Sequence, residues 1–371
     1  MNRLLPTSPS ADRPKRGEVS KAPALGETRN VKCISVIVPM LNEAGHIENL
    51  VADLAAQDFR GDVEVIVADG RSTDGSVERL ESAAAQAQLS LAVIDNPDRW
   101  VSHGLNACIR KARGDLLVRL DCHTRYPPDY IRKLAVVAEE TDALCVGGLV
   151  VPVGRTLTER AVACATASPF GGVHWTRHAR RRERVEVDVV YCGAFRPEAF
   201  ERAGLFDESL LRNQDDEFTL RLRRAGGRIV LDPSIRSFYT PRGSYRAAFR
   251  QYYQYGLWKV PVMSKHRRVV SARSLAPLAF VGSVAAFGLA GARVQTARRL
   301  FAAELAIYGA SAIYFGVGGV RSRGESLRLL PRVVAVFPTY HFAYGIGLLR
   351  GGVAATRSKR NKDSANAGDA R

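Results

Sequence analysis

Three polar clusters in this sequence have residue types and spacings suited to chemistry. Asp121-Cys122-His123 places an anionic oxygen and a neutral imidazole nitrogen two residues apart, just past an apolar run. Both could reach one divalent cation. Mn²⁺ or Mg²⁺ suits oxygen-rich sites, and imidazole is compatible with Mn²⁺. Such an ion would neutralise a diphosphate leaving group. The alternative is an aspartate capping a turn beside a surface histidine. Asn213-Gln214-Asp215-Asp216-Glu217 sets three consecutive acids at the start of a helical pattern. The helix dipole alone favours acids there. A carboxylate beside a cleft could also act as a general base on an attacking hydroxyl, and crowding can raise the pKa of one member. Asp69 and Asp74, within ADGRSTDGS, either accept hydrogen bonds from a nucleobase or ribose, or perform ordinary turn-and-cap work.

Strand and helix patterns would position these residues. Ile34–Pro39, Val63–Ala68, Leu91–Ile94 and Leu116–Leu120 are short apolar runs of buried-strand length. Helical patterns lie between them, including Val101–Arg113, and Tyr130–Glu140 follows. This alternation predicts an α/β domain with a mostly parallel sheet, flanked by helices on both faces. Ligands of such sheets bind outside the carboxyl ends of the strands, where Asp69 and Asp121 fall. Leu144–Val151 is again strand-like, and helices are expected at Pro197–Arg202 and around Glu217–Arg224. In Gln251–Lys259 (QYYQYGLWK), aromatic faces and amides suit sugar rings, while amphipathic segments of this kind also lie along membrane interfaces.

Composition narrows the class. The 371 residues carry a net charge of +17. Up to Pro241 basic and acidic residues balance, 33 against 33; from Arg242 onward there are 21 basic and 4 acidic residues. The excess is interleaved with apolar stretches at Leu275–Ala292, Leu300–Val320 and Val333–Leu349. Basic residues flanking membrane segments are attracted by anionic lipid, so the pattern points to a membrane and away from nucleic acid, which would draw charge onto the folded domain. The six cysteines form no CxxC pair, which disfavours structural zinc and a disulfide scaffold. Residues 1–32 lack an apolar run of signal-peptide length and read as a disordered basic arm. The expected organisation is that arm, a domain over 33–241, an amphipathic interface segment over 242–274, two or three transmembrane helices over 275–350, and a disordered basic tail over 351–371.

Taken together, the motifs resemble the family 2 glycosyltransferases, inverting nucleotide-sugar enzymes of GT-A fold. The residues carrying the resemblance are Val36–Glu43 (VIVPMLNE), Ala68–Ser76 (ADGRSTDGS), Gly114-Asp115 with Arg119–His123 (RLDCH), and Gln214–Gly226 (QDDEFTLRLRRAG). A narrower resemblance, to succinoglycan-type exopolysaccharide glucosyltransferases, rests on Ser168–Gly171 (SPFG), Tyr191–Arg196 (YCGAFR), Asn213–Glu217 and His341–Gly345 (HFAYG). The resemblance implies that Pro39 and Glu43 meet the uridine, that Asp69 is the uracil-binding acid, and that Asp121 is the first acid of a DxD metal motif with His123 in place of the second. Arg99 would meet phosphate. Asp215 aligns with the catalytic base, with Asp216 as fallback. Gln214 stands where a Glu is usual, Gly70 where a second Asp is common, and no QxxRW motif is present. The implied activity is transfer of a hexose, from UDP-glucose above all, to a lipid-linked oligosaccharide at the cytosolic face of the inner membrane. Alternatives are transfer to a polyprenyl phosphate or simple lipid, or a non-catalytic membrane nucleotide-sugar-binding scaffold.

Overall fold

The computed structural model describes residues 30–171, 181–267 and 272–368. The arm before residue 30 lies outside them, as do most of the segment after SPFG and the arginine at 268.

Four strands begin the domain: β1 (Cys33–Met40), β2 (Asp62–Asp69), β3 (Leu91–Asp95) and β4 (Leu116–Arg119). They pair in parallel in the order β3-β2-β1-β4. The connecting helices α1 (Ile47–Ala55), α2 (Ser76–Gln86) and α3 (Val101–Lys111) cover the faces. Alternate residues of β1 serve opposite cores, as strand geometry requires. Val36 and Val38 join a cluster with Leu50 and Leu80, while Ile37 joins one with Leu105 and Phe218. Gly114 lies where a Cβ would strike the Ser35 backbone, and the Asp115 carboxylate accepts from Lys32 and Cys33 N–H, both at 2.9 Å. These two residues therefore anchor the start of β1.

The second half of the sheet is mixed. β5 (Thr124–Arg125) and α4 (Tyr130–Glu140) lead to β6 (Cys145–Pro152) and α5 (Leu157–Thr166). Then come β7 (Val185–Glu186), β8 (Ala194–Phe195), α6 (Pro197–Ala203), α7 (Gln214–Arg224) and β9 (Ile229–Tyr239). β8 lies antiparallel between β4 and β6, and β9 runs parallel to β6 while pairing antiparallel with β5 and β7. The expected parallel order thus holds for the four strands that carry the alternating pattern. The two-residue strands were too short to show in a periodicity.

Beyond residue 241 the chain is helical: α8 (Tyr245–His266), α9 (Ala276–Gly291), α10 (Gln295–Ser322) and α11 (Leu330–Gly368). α8 and α11 touch backbone to backbone. A Cβ on Gly256 would collide with the Tyr344 carbonyl oxygen, and one on Gly347 with the Tyr253 carbonyl oxygen. Tyr252 stacks on Tyr340 with ring centroids 3.6 Å apart. A third core joins α5 to α8, α10 and α11 through Cys164, Ala248, Ala312 and Phe337. The helices are therefore docked on the domain rather than tethered to it.

The stretches starting at Arg273 and Gln295 give two helices long and apolar enough to cross a membrane. Leu289, Ile307 and Tyr314 are 78%, 68% and 74% exposed. The third apolar stretch differs. Val333, Val336, Phe337, Tyr340 and Ala343 of α11 are buried in the helical core. α11 also continues as helix into the stretch expected as a tail.

Candidate active site

The turns after β1 and β2 are stitched together. Asn42 N–H donates to Ser72 Oγ at 2.8 Å, Thr73 N–H to Asn42 Oδ1 at 2.9 Å, Glu43 N–H to Ser76 Oγ at 2.8 Å and Ala44 N–H to Asp74 Oδ2 at 3.0 Å. ADGRSTDGS thereby holds the loop that presents Glu43. Both Asp69 oxygens are taken within their own turn, by Ser72 N–H at 3.0 Å and Ser72 Oγ–H at 2.6 Å.

A cleft of about 2330 Å³ opens at the carboxyl ends of β1, β3 and β4. Pro39, Glu43, Arg99, Asp121, His123, Asp215 and Asp216 all line it. Asp69 is not among its lining residues: it ends β2, between Met40 and Asn96, which do line the cleft, and its carboxylate turns toward Ser72. Glu43, Asp121 and Asp215 therefore share one cleft.

At the centre is a residue the sequence reading passed over. Arg119 is buried, and its Nε and Nη2 each donate to Asp121 Oδ1 at 3.2 Å while Nη1 donates to Asp215 Oδ1 at 2.5 Å. One guanidinium thus ties the DxD-like aspartate to the acid of α7. The Tyr191 hydroxyl donates to the other Asp121 oxygen at 2.5 Å. This gives the YCGAFR segment a physical role, since the pairing of β8 with β4 brings the preceding Tyr191 to Asp121. Arginine at the last position of a buried strand, two residues before an aspartate, was the available signal.

The three acids of α7 point three ways. Asp215 meets Arg119, and Asp216 meets Lys259 Nζ of α8 at 2.5 Å. Glu217 is fully buried and bound by Arg221, Lys265 and His266. Glu217 is thus a structural knot between α7 and α8, which leaves the first two acids for the cleft.

Burial pushes the Asp215 carboxyl up, and the nearby Asp121 and Asp216 charges add to this against the opposing pull of Arg119. Burial would also raise Asp121, but Arg119, His123 and the Tyr191 hydroxyl outweigh it and hold that carboxyl below its usual range. The pair is thereby split, with Asp121 the firmer anion and Asp215 the readier proton acceptor. His123 is raised by its hydrogen bond to Glu43, Nδ1 to Oε1 at 3.4 Å, against the effect of burial.

Among the described residues no three His, Cys, Asp or Glu side chains gather into a closed metal cage. Asp121 has a donor on each oxygen, while the His123 imidazole is 43% exposed at the cleft. That donor set suits an ion taking most of its ligands from a diphosphate.

The far side of the cleft is built by α8 and the apolar helices. Arg246, Arg250, Gln254, Trp258 and Lys259 line it, as does Tyr252 where it stacks on Tyr340, whereas the backbone of Tyr253 and Gly256 packs on α11. QYYQYGLWK therefore has one face in the cleft and one in a helix interface. His341 Nε2 meets the Phe170 carbonyl at 2.9 Å and its Nδ1 meets Tyr308 Oη at 2.8 Å. SPFG and HFAYG, some 170 residues apart, thus form one joint beside the cleft.

Comparison with known proteins agrees with this architecture. The sequence profile of Glycosyl transferase family 2 matches residues 35–203. The chain is 30% identical over 327 residues to the succinoglycan biosynthesis protein ExoA of Rhizobium meliloti, covering 85% of this chain and 93% of that protein. It is 24% identical over 234 residues to the dolichyl N-acetyl-alpha-D-glucosaminyl phosphate 3-beta-D-2,3-diacetamido-2,3-dideoxy-beta-D-glucuronosyltransferase of Methanococcus voltae, covering 61% and 72%. The mannosyltransferase PcManGT of Pyrobaculum calidifontis, solved with GDP-Man and Mn²⁺, superposes with a TM-score of 0.62 at 21% identity, over 90% of each chain.

Proposed function

For this chain, which belongs to glycosyl transferase family 2 and has the GT-A fold, we propose hexose transfer from a nucleotide diphosphate sugar, UDP-glucose first, to a lipid-linked saccharide in exopolysaccharide biosynthesis. The observation that carries this reading is Asp121 and Asp215 held by one buried arginine in one cleft at the strand ends. Pro39, Glu43 and Asp69 serve the nucleoside end and Arg99 the phosphates. Asp215 accepts the proton of the acceptor hydroxyl as that oxygen bonds to the anomeric carbon. The bond from the anomeric carbon to the diphosphate oxygen breaks on the opposite face, and the nucleoside diphosphate departs. Asp216 is the fallback base. A bound Mn²⁺ or Mg²⁺ would be held by Asp121 and His123 and would offset diphosphate charge.

The relatives' printed names, a succinoglycan biosynthesis protein and an enzyme acting on a dolichyl phosphate-linked sugar, support a lipid-borne acceptor. The two apolar helices support attachment to a membrane, and we place the protein in the cytoplasmic membrane with the domain facing the cytosol. Release of nucleoside diphosphate is the test: full-length protein in lipid, with Mn²⁺ and a membrane lipid extract, is offered UDP- and GDP-sugars. UDP release dependent on the extract is expected. Tight nucleotide binding without release from any donor would instead make the chain a binding scaffold.

A further inference from the structure

We propose that Tyr191 is a positioning residue for Asp121: its hydroxyl, held by a left-handed turn, fixes which carboxylate lone pair stays open for a divalent cation. The proposal deepens the transferase reading above and rests on it.

An ionised carboxylate only accepts, and it offers about four lone-pair directions. Asp121 is buried, and three of those directions are taken. Oδ1 accepts from Arg119 Nε and from Arg119 Nη2, each at 3.2 Å, and Oδ2 accepts from the Tyr191 hydroxyl at 2.5 Å. About one direction remains, and it lies on Oδ2. Both Arg119 bonds go to the other oxygen, so the tyrosine decides how Oδ2 faces the cleft. The backbone beneath is fixed as well, since Asp121 N–H donates to Tyr126 Oη at 2.8 Å.

A strained residue places that hydroxyl. Cys192 is buried and has a φ of 48°, in the left-handed region that a side chain disfavours. Such a conformation persists only where its surroundings over-determine it, and it concentrates at functional sites. Here the Cys192 carbonyl accepts from Tyr130 Oη of α4 at 3.3 Å, and the Gly193 carbonyl accepts from Arg119 N–H at 3.1 Å. Gly193 has no room for a side chain: a Cβ would lie 2.9 Å from Val190 Cγ2 and 3.0 Å from Cys145 Sγ. The turn before β8 is therefore clamped on both sides. The Tyr191 ring in turn lies against the Arg119 guanidinium, whose carbon is 6.0 Å from the ring centroid. That packing needs only a ring. The hydroxyl adds a bond to a carboxylate that lines the cleft beside His123. Outer partners of this kind orient a metal-binding side chain, and their loss typically weakens ion affinity by about 10–100-fold.

The test uses full-length protein in lipid, with Mn²⁺ as the probe and the EPR signal of the free ion as the readout. Mn²⁺ is titrated in saturating UDP, and UDP affinity is measured separately in the presence of a chelator. Tyr191→Phe keeps the ring and removes only the hydroxyl. Its Mn²⁺ affinity should fall by about tenfold or more, while metal-free UDP affinity stays at the wild-type value. Tyr130→Phe removes a hydroxyl from the other side of the same turn without touching the Asp121 carboxylate, and its Mn²⁺ affinity should stay near wild type. Undiminished Mn²⁺ affinity in Tyr191→Phe would overturn the proposal. So would an equal loss of metal-free UDP affinity, which would make Tyr191 a nucleotide contact, or an equal loss of Mn²⁺ affinity in Tyr130→Phe, which would make the turn's stability responsible. Wild-type protein that binds no Mn²⁺ would overturn it too. These outcomes are read from binding alone. They stand apart from a failure of the transferase reading, which would appear as wild-type protein that releases no UDP with any acceptor.

Discussion

Asp215 sits where burial and two neighbouring carboxylates favour the neutral acid, and only Arg119 opposes them. A base with a raised pKa is a competent proton acceptor near neutral pH. Asp215→Asn should lower transfer by roughly 10²-fold or more and leave UDP affinity nearly unchanged, as read by product formation and by nucleotide titration. Arg119 sets the acid side of the pH profile. Asp215 must be ionised to act, so activity falls as pH drops through its raised pKa. Removing the guanidinium takes away the influence that lowers that pKa, so in Arg119→Gln the acid limb of kcat/KM should move to higher pH. Breaking one partner of a buried pair costs about 3–5 kcal/mol. Arg119→Lys, which keeps the charge, is the companion variant and should return the limb toward the wild-type position.

At the scale of elements, the α8–α11 contact decides the shape of the cleft's far wall. Gly256 has the Tyr344 carbonyl oxygen where a side chain would begin, whereas Gly352 of α11 has nothing within 4 Å of its Cβ position. Gly256→Ala should therefore lower stability by about 1–3 kcal/mol, the usual cost of overpacking. Gly352→Ala should be neutral or stabilising by up to about 1 kcal/mol from helix propensity. Thermal denaturation of both variants checks the pair, and equal behaviour would mean that the two helices do not approach this closely. Composition alone could not find this contact. QYYQYGLWK offers two plausible faces, and the tertiary partner assigns Tyr253 and Gly256 to packing on α11 and Gln254, Tyr255, Trp258 and Lys259 to the cleft.

At the scale of the whole molecule, α9 and α10 expose apolar side chains such as Leu289, Ile307 and Tyr314 that no described element covers, while α11 buries Val333, Val336, Phe337 and Tyr340 and exposes Leu349 and Val353. Hydrophobic surface of that extent marks an interaction with lipid or protein. With α9 and α10 as a membrane hairpin, a cysteine at Arg293, in the connection between them, should be labelled by an impermeant maleimide from the side opposite the catalytic domain. Labelling from the domain's own side would mean that the hairpin lies in the interface instead of crossing.

The residue pattern along the chain specifies the parallel half of the sheet, the acids at its strand ends and the acidic first turn of α7. Those features are local: an apolar run of strand length, a turn residue, a carboxylate next to a helical pattern. Tertiary structure decided the rest. It tied both Asp69 oxygens to Ser72, brought Arg119 between two aspartates 94 residues apart, and joined Phe170 to His341. Pairing and desolvation depend on distances through space, and neither spacing along the chain nor residue type encodes which charge will find a partner.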